Sequence, residues 1–426
     1  MSSARVPELY ELKRSLRDKV LFPFLDGKPH EVNEISEAIG VSRQTVTKCL
    51  SFFMKDHLIT SVGKGASGST GGKKPLLYAL SSSLYLICVT LWEETFRIHL
   101  YNINGDLVDR IILDAPLPDT PVSAAENIGR LSAMLMEKNK IDPADVRGVC
   151  VSVPVWVDRK TNTLILSTAA MNWGRNISLA DLLRPFFADG TMILIESPGK
   201  IHSGLFYLDP RFEGRRLLVL SVFHGVSGCL IENGHILNGR HSLIGNLGHM
   251  ILDPADPEEC SCGARGCLNV LVPPARLQDI IRREAEKAPD SALLPCDQPP
   301  SYRQVFEAAR SGDPLGRICV DYLARQFSQA LRNLVFCFDP DYVLFAGNTF
   351  PVDDHFKKLI CDHLGIYSQG RSDDRLFEIL YDDSDLAERD ALAAMMMLRW
   401  RMLNSSNVYL NLDTDRFQSA EAAEQV

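Results

Sequence analysis

The sequence lacks the long apolar runs that membrane proteins need. No stretch of its 426 residues approaches the roughly 18 consecutive apolar residues of a membrane-spanning helix. Its first segment, MSSARVPELYELKRSLRDKV, is highly charged, so it does not resemble a secretory signal peptide. At 46% hydrophobic residues the chain can still bury large cores, and its length indicates two or three domains. We expect a cytoplasmic protein that does not bind membranes.

The sequence also lacks the cysteine pattern of a disulfide scaffold. Its 11 cysteines are scattered along the chain, except for one cluster at 260–267. A scattered distribution is typical of reduced thiols in a cytoplasm. Charge is distributed unevenly. Residues 1–80 hold 12 Lys and Arg against 8 Asp and Glu, whereas the other 346 hold 33 against 46. A basic head on an acidic body favours a polyanionic partner, although a merely solvated surface would explain the same excess.

Residues 30–53 have the spacing of two short amphipathic helices, and residues 8–25 also have helical apolar spacing. The first of the pair, HEVNEISEAIG, ends at Gly40. Ser42 is a suitable N-cap for the second, VSRQTVTKCLSFFMKDHLI, whose apolar residues recur at i, i+4 and i+7. Two helices joined by a tight turn, the second with a polar and basic outer face, are typical of a helix-turn-helix. Its candidate DNA-contacting residues are Ser42, Arg43, Gln44, Thr45, Thr47 and Lys48.

The next segment predicts a β-hairpin. Two β-prone stretches, Ile59–Val62 and Leu76–Leu80, flank a tip rich in Gly, Ser and Lys. Such a hairpin would serve as a wing, with Lys64, Lys73 and Lys74 placed to contact phosphates. A helical hairpin followed by a flexible linker is the alternative. The order of the elements favours a winged helix-turn-helix over residues 1–82, with double-stranded DNA as its partner.

From residue 83 onwards, strand patterns alternate with helix patterns. LYLICVTL and FRIHLYNINGDLV predict two paired strands, with a turn at Asn104-Gly105 before a third extended run. AAENIGRLSAMLMEK predicts a helix and VRGVCVSVPVWV a buried strand, and MILIES and RLLVLSVF predict two more strands. This alternation predicts an α/β fold.

Three stretches of the body carry a family resemblance: NGHILNGRHSLIGNLGHM, CSCGARGCL and VFEAARSGDPLGRICVDYLARQFSQALRNLVFCFDPDYVLFAGN. They resemble the ROK family of sugar kinases and sugar-responsive repressors, which have a two-lobed, actin-like (ribonuclease H-like) body. The family's repressors carry an N-terminal winged helix. The resemblance implies a first lobe (83–200), a second lobe with a metal site (201–385), a C-terminal helix packed on the first lobe (386–403) and a loose tail (404–426). We also expect a homodimer or homotetramer.

The positions that correspond to the family's catalytic machinery are changed. The first phosphate loop, Asp-x-Gly-Gly-Thr in the family, reads TLWEE here, with Thr90 in place of the Asp and Trp92 and Glu93 in place of the glycines. The second loop, Gly-Thr-Gly-x-Gly, reads FHGVS and keeps only Gly225. Pro198 stands where the resemblance puts the catalytic base, and proline cannot accept a proton. We therefore predict that the protein neither binds ATP nor phosphorylates sugars.

The resemblance also indicates changes among the sugar-binding positions. Asn246 and Asn269 stand where the family has two glutamates. Because asparagine donates and accepts hydrogen bonds, the site could still bind a sugar or another polyol. AAMNWGRN resembles the family's sugar-contacting loop, so the candidate ligand-binding residues are Asn172, Asn246 and His249. Ordinary surface-loop asparagines are the alternative.

One imidazole and three thiols form the remaining motif. His249, Cys260, Cys262 and Cys267 match the Cys₃His donor set of closed structural zinc sites. The C-x-C-x₄-C segment can curl around one ion, and sulfur ligands select zinc over magnesium or calcium. Four protein ligands leave no position for a reactive water. We predict one structural zinc ion per chain; the alternative is buried free cysteines beside an unrelated histidine.

Together these features favour a transcriptional regulator of carbohydrate metabolism that binds a palindromic operator on the nucleoid. Its catalytically inactive body would sense a sugar or sugar derivative and would dimerise, because paired half-sites require paired heads. One alternative is a regulator whose body has lost the sugar site and responds to a protein partner. Another is an active sugar kinase with an accessory head, which the changed catalytic positions disfavour.

Overall fold

The computed structural model covers most of residues 15–403, and within them no helix is long and apolar enough to cross a membrane. They form two compact units: unit 1 consists of the described parts of 1–153, 177–196 and 391–426, and unit 2 of the described parts of 154–176 and 197–390. This division groups the N-terminal head with the first sheet, and the domain boundaries predicted at 82, 200, 385 and 403 stay a prediction. The described residues are 15–55, 57–65, 74–92, 95–116, 118–158, 161, 163–167, 173–223, 225–237, 239, 243–365 and 377–403.

The N-terminal head of unit 1 contains a helix pair and a small antiparallel sheet of strand order β1-β3-β2. The predicted helix pair and both hairpin strands are present, whereas the pairing of β1 with β3 was not predicted. Residues 15–21 of the helix predicted over 8–25 are helical, and residues 1–14 lie outside the described part. The elements are β1 His30–Glu31, α1 Val32–Ile39, α2 Arg43–Lys55, β2 Ile59–Lys64 and β3 Leu76–Leu80.

Capping residues set the ends of α1, and buried apolar side chains pack α1 and α2 into the head. A capping box between Glu31 and Glu34 begins α1, and Gly40 ends it at a φ of 65°. One apolar face of each helix is directed inward, so the polar face of α2 is directed outward. Each fully buried side chain of this size stabilises the head by roughly 1.5–3 kcal/mol. The buried residues include Phe24, Ile35, Val46, Leu50 and Phe53.

The main sheet of unit 1 has the order β11-β7-β4-β5-β6, with β6 at one edge. The predicted turn joins β5 to β6, and Gly105 adopts a φ of 108° there. The predicted helix and the predicted strand MILIES are also present in this unit. The elements are β4 Tyr85–Trp92, β5 Thr95–Asn102, β6 Leu107–Asp114, α3 Pro121–Lys138, β7 Val146–Ser152, β10 Ile177–Ser178, α4 Leu179–Leu183 and β11 Met192–Glu196.

One strand prediction was wrong. VRGVCVSVPVWV was expected to form one buried strand, but β7 ends at Ser152 and a separate strand, β8 (Val155–Asp158), follows in unit 2. Pro154 lies between them. Because proline has no N–H to donate, it cannot continue the ladder of a central strand.

Within unit 1, three segments that are distant in sequence contact one another between the head and the main sheet. The guanidinium of Arg399 donates to the carbonyl of Asn104 at 2.7 Å, and the Asn104 amide donates to the carbonyl of Leu80 at 3.1 Å. A Cβ on Gly27 would lie 2.3 Å from the Asn104 oxygen, so only glycine fits there. The head is therefore joined to the rest of unit 1 by noncovalent contacts as well as by the peptide chain.

Unit 2 is built on a second five-stranded sheet, of order β14-β13-β12-β15-β16. Its core includes a cluster of aromatic rings around Phe350. The elements are β8, β9 Thr163–Ser167, α5 Pro198–His202, β12 Arg216–Val222, β13 Val226–Glu232, β14 His235–Ile236, α6 Leu268–Leu271, α7 Pro274–Glu284, α8 Tyr302–Arg310, α9 Pro314–Phe338, β15 Tyr342–Ala346, α10 Asp354–Leu364 and β16 Glu378–Asp382; α11 Leu386–Leu403 begins here and continues in unit 1.

Candidate functional site

The outer face of α2 presents polar side chains to solvent. Ser42 caps the helix: its hydroxyl accepts from the backbone N–H of Thr45 at 3.3 Å, and its carbonyl accepts from the N–H of Val46 at 3.0 Å. Arg43, Gln44 and Lys48 are exposed, and their side chains have no partner within the described part of the chain. These groups are therefore free to bind another molecule.

The two threonines of the candidate set are partly used within the helix. The Thr45 hydroxyl lies 2.9 Å from that of Ser42, and the Thr47 hydroxyl donates to the carbonyl of Arg43 at 2.8 Å. Thr47 is exposed, whereas Thr45 is half-buried. Both hydroxyl oxygens can still accept a hydrogen bond, but the unpaired donors of this face belong to the longer side chains.

The hairpin of β2 and β3 carries exposed lysines at its distal end. Lys64 pairs in register with Leu76, and the N–H of Gly65 donates to the carbonyl of Pro75 at 2.8 Å. Lys64 and Lys74 are both exposed there. The tip that contains the predicted phosphate-contacting Lys73 lies outside the described residues.

The four predicted metal-ligating residues lie together. One donor atom from each of His249, Cys260, Cys262 and Cys267 lies within 4.8 Å of all the others. The sulfurs of Cys262 and Cys267 are 3.7 Å apart, and that of Cys260 is 3.4 Å from Nδ1 of His249. Tetrahedral Zn–S bonds of about 2.3 Å place neighbouring sulfurs about 3.8 Å apart. The donor types and their spacing therefore fit a single metal ion.

Two glycines allow the cysteine loop to close. The N–H of Cys260 donates to the carbonyl of Ala264 at 2.8 Å, and Gly263 turns the chain between them at a φ of 86°. Gly266 has a φ of 66°, and a Cβ there would lie 1.6 Å from the carbonyl oxygen of Asp253. No other residue fits at position 266, so the spacing of the thiols depends on the glycines.

Burial and hydrogen bonding shift the pKa values of three side chains in the cluster. Burial lowers the pKa of His249. Burial raises the pKa of Cys262, but hydrogen bonds from the Ala264 backbone and from the thiols of Cys260 and Cys267 outweigh it, so the net pKa is lowered. Burial raises the pKa of Cys267 to about 12. A bound cation would favour deprotonation of the remaining thiols.

The candidate ligand-binding residues are only partly brought together. Asn246 and His249 lie at the two ends of one turn, where the N–H of His249 donates to the carbonyl of Asn246 at 3.1 Å. Asn172 lies outside the described residues. Trp156, which sequence reasoning missed, stacks on His249 with ring centroids 6.1 Å apart. Its buried indole N–H has no acceptor among the described residues, so a hydrogen-bond donor is available beside His249.

Asn269, the second position at which the family has a glutamate, has a structural role. Its side-chain oxygen accepts a hydrogen bond from the backbone N–H of Val226 at 2.7 Å. A Cβ on Gly248 would lie 1.9 Å from the same oxygen, so the side chain fills the space beside that glycine. The side-chain oxygen of Asn269 therefore already accepts one hydrogen bond within the chain.

The structure also describes positions that the family resemblance relates to phosphate binding and catalysis. In the second loop, the N–H of Phe223 donates to the carbonyl of Gly225 at 2.9 Å, and Asn269 takes the N–H of Val226. Pro198 is at the first turn of α5, and Thr90 is fully buried in β4. The Trp92 side chain and Glu93 lie outside the described part. Two amides that could hold a phosphate are thus bonded internally.

The sequence profile of the ROK family matches residues 87–364. The chain belongs to the ROK family. It is 24% identical to a glucokinase of Thermotoga maritima over 272 residues, which cover 62% of this chain and 82% of that protein. It is 22% identical to the N-acetylglucosamine repressor of Escherichia coli O157:H7 over 403 residues, which cover 92% of this chain and 95% of the repressor.

A solved structure shares the fold. The crystal structure of a ROK family transcriptional regulator, a homologue of the E. coli MLC protein, superposes with a TM-score of 0.73. The match covers 93% of this chain and 98% of the other, at 16% sequence identity. The α/β fold with a ROK sugar-kinase-like body is thus shown.

Proposed function

We propose that this protein is a DNA-binding transcriptional regulator whose residues 1–82 form a winged helix-turn-helix. One observation carries the proposal: capped α2 presents Arg43, Gln44 and Lys48 to solvent without any partner among the described residues. Arg and Gln read guanine and adenine edges by paired hydrogen bonds in the major groove. Ser42, Thr45 and Thr47 complete the face, and α2 is the recognition helix.

The hairpin supplies contacts that do not depend on sequence. Three lysines contact phosphates: Lys64, Lys74 and Lys73, the last of which lies outside the described residues. Phosphate contacts position a protein on the duplex without reading bases. The net positive charge of the head favours the same partner. The extent of similarity supports this function, because the E. coli repressor matches 92% of the chain and the T. maritima glucokinase 62%.

The body is proposed to hold one structural zinc ion at His249, Cys260, Cys262 and Cys267 and to have no catalytic role. When bound, zinc supplies a fixed tetrahedral crosslink. The four residues hold the loop of 249–267 in one conformation, and no open position is left for a water. Two observations support the absence of ATP binding and of kinase activity. The backbone N–H groups of Phe223 and Val226 in the second loop are already hydrogen-bonded, and position 198 is a proline.

The effector is proposed to be a sugar or sugar derivative that contacts Asn246, His249 and Asn172. Trp156 extends this site, because its unpaired indole N–H can donate to a hydroxyl oxygen. We expect wild-type protein to bind glucose, xylose or N-acetylglucosamine in calorimetry. The Trp156→Phe variant, which keeps the stacked ring and loses the donor, should bind about five- to tenfold more weakly. If none of the three binds, control by a protein partner is favoured, as the engaged Asn269 already suggests.

DNA binding is tested by selecting sequences from a random duplex library with the full chain. The selected sequence is then titrated with wild-type protein and two arginine variants. Arg43→Ala should weaken binding by about 1–3 kcal/mol and relax the choice of base. Arg317→Ala removes an exposed arginine of α9 in unit 2 and should change nothing. Selection of no sequence over random competitor would contradict the proposal.

A further inference from the structure

Unit 2 contains a polar cavity of about 430 Å³ between α7, α9 and the segment 252–256. Its volume lies within the range of roughly 300–1,000 Å³ that is typical of small-molecule sites. Each helix contributes three residues at i, i+4 and i+7, a spacing that places them on one face. The lining consists of Arg276, Ile280 and Arg283 of α7, Tyr322, Gln326 and Gln329 of α9, and Leu252, Asp253, Asp256 and Leu271.

The positive charges of this cavity are already neutralised. Nη2 of Arg276 donates to Asp256 at 2.9 Å, and Nε of Arg283 donates to Glu284 at 3.1 Å. The lining itself holds two arginines and two aspartates, so it has no net charge. Burial raises the pKa of Tyr322, and these four charges act on its hydroxyl in opposite directions. Because no single sign of charge dominates, the cavity favours a neutral ligand over an anion or a cation.

Several polar groups of the cavity are not used within the described part of the chain. The side-chain amides of Gln326 and Gln329 have no hydrogen-bond partner there. Nη1 of Arg276 is also unused, because both of its bonds to carboxylates are made by Nη2. Asp256 is only 8% exposed, and its hydrogen bonds are all accepted by Oδ1. Polar groups that are buried without a partner cost free energy, which a ligand with matching groups would recover.

The unused groups include both donors and acceptors. The guanidinium of Arg276 can only donate, the carboxylate of Asp256 can only accept, and the two glutamine amides can do both. A hydroxyl group also does both, so adjacent hydroxyls on one molecule can satisfy the whole set. Leu271 and Ile280, which are buried, provide an apolar wall against which C–H groups can pack.

We propose that this cavity binds a neutral polyhydroxylated molecule, a mono- or disaccharide, at a second site of unit 2. Asn246, His249 and Trp156 of the proposed effector site are not among the described residues that line it. The proposal therefore depends neither on that site nor on DNA binding.

Hydrogen–deuterium exchange of the full chain locates the bound sugar. Glucose, xylose, N-acetylglucosamine and maltose are each added at about 50 mM, which saturates a site of millimolar affinity. At least one of them should slow exchange within 276–283 and 322–329. Glucuronate and glucosamine, an anion and a cation of the same ring type, should slow it less.

Variants then assign this protection to the cavity. Gln326→Ala combined with Gln329→Ala removes two unused amides and breaks no hydrogen bond of the described chain, and thermal unfolding confirms its fold. The sugar concentration that gives half of the protection at 322–329 should rise at least about tenfold. Gln298→Ala removes an exposed glutamine of unit 2 outside the cavity and should match wild type. Trp156→Phe should weaken the effector site and leave this protection unchanged.

Four results would overturn the proposal. They are no protection of either helix by any neutral sugar, undiminished protection in the double glutamine variant, loss of protection in Trp156→Phe, and stronger protection by a charged sugar. Sugar binding that requires Trp156 and selection of a DNA sequence are measured separately. Failure of the second site is therefore distinguishable from failure of the proposed regulator.

Discussion

The side-chain oxygen of Asn269 accepts a hydrogen bond from the backbone N–H of Val226 at 2.7 Å. Val226 is buried, so water cannot replace this acceptor. The side chain also fills the space beside Gly225 and Gly248, and the resemblance relates the first of these to the second phosphate loop of the family's kinases. A position that has a glutamate in the family's sugar site thus serves here as a crosslink between loops.

Asn269→Ala should lower the free energy of unfolding by about 1–3 kcal/mol, because it leaves the buried Val226 N–H without an acceptor. Urea unfolding measures the loss. Asn269→Asp keeps an acceptor oxygen and should retain most of the stability. Asn333→Ala, an exposed position, is the control. Equal midpoints for Asn269→Ala and wild type would show that the hydrogen bond contributes nothing.

Restoring single catalytic groups should not restore a kinase. Pro198→Asp and the double variant with Asn246→Glu should show no ADP release above background with glucose, xylose or N-acetylglucosamine. Phosphoryl transfer needs positioned amides together with a base, and the amides of Phe223 and Val226 are already bonded. A coupled assay, with calorimetry for ATP binding, makes the measurement. Turnover by the wild type that depends on one sugar would support the kinase alternative instead.

Metal analysis after exhaustive dialysis should find about one zinc per chain. Cys262→Ser should lose most of it and melt at least about 5 °C lower, because metal binding energy is part of the folding energy and each kcal/mol corresponds to roughly 2–4 °C at this size. Cys337→Ser removes an exposed thiol outside the cluster and should behave as wild type. Stable folded protein without metal would refute the structural zinc.

The head should lose stability as the pH rises from about 6 to 8, because of His30. Burial lowers the pKa of His30, but hydrogen bonds to Asp26 and Glu34, each at 3.0 Å, outweigh it and raise the pKa above 6.5. A raised pKa in the folded state contributes stability that is complete below the unfolded pKa and is lost through the folded pKa. The melting temperature should therefore fall more steeply with rising pH for wild type than for His30→Gln.

His355→Gln removes an exposed histidine of α10 and provides the control for this pH dependence. Its profile should match that of wild type. If the melting temperature of His30→Gln changes with pH between 6 and 8 as steeply as that of wild type, Asp26 and Glu34 do not stabilise the protonated imidazole of His30.

The sequence by itself determined the features that depend on neighbouring residues. The N-cap at Ser42, the end of α1 at Gly40 and the turn at Asn104-Gly105 each require only a few adjacent positions, and all are present. The proximity of His249, Cys260, Cys262 and Cys267 was also predictable, because the four residues lie within a short segment that glycines allow to close. Family resemblance supplied the body, since strand and helix patterns alone leave the α/β topology open.

Only the tertiary structure decided the roles of residues whose partners are distant in the chain. Asn269 meets Val226 across 43 positions and Arg399 meets Asn104 across 295. Trp156 lies against His249 although nothing in the spacing relates them. Such pairs form only when separate elements pack, so no local propensity encodes them. The cavity between α7 and α9 has the same origin: each helix has its polar side chains at helical spacing, but only packing brings the two faces to one cavity.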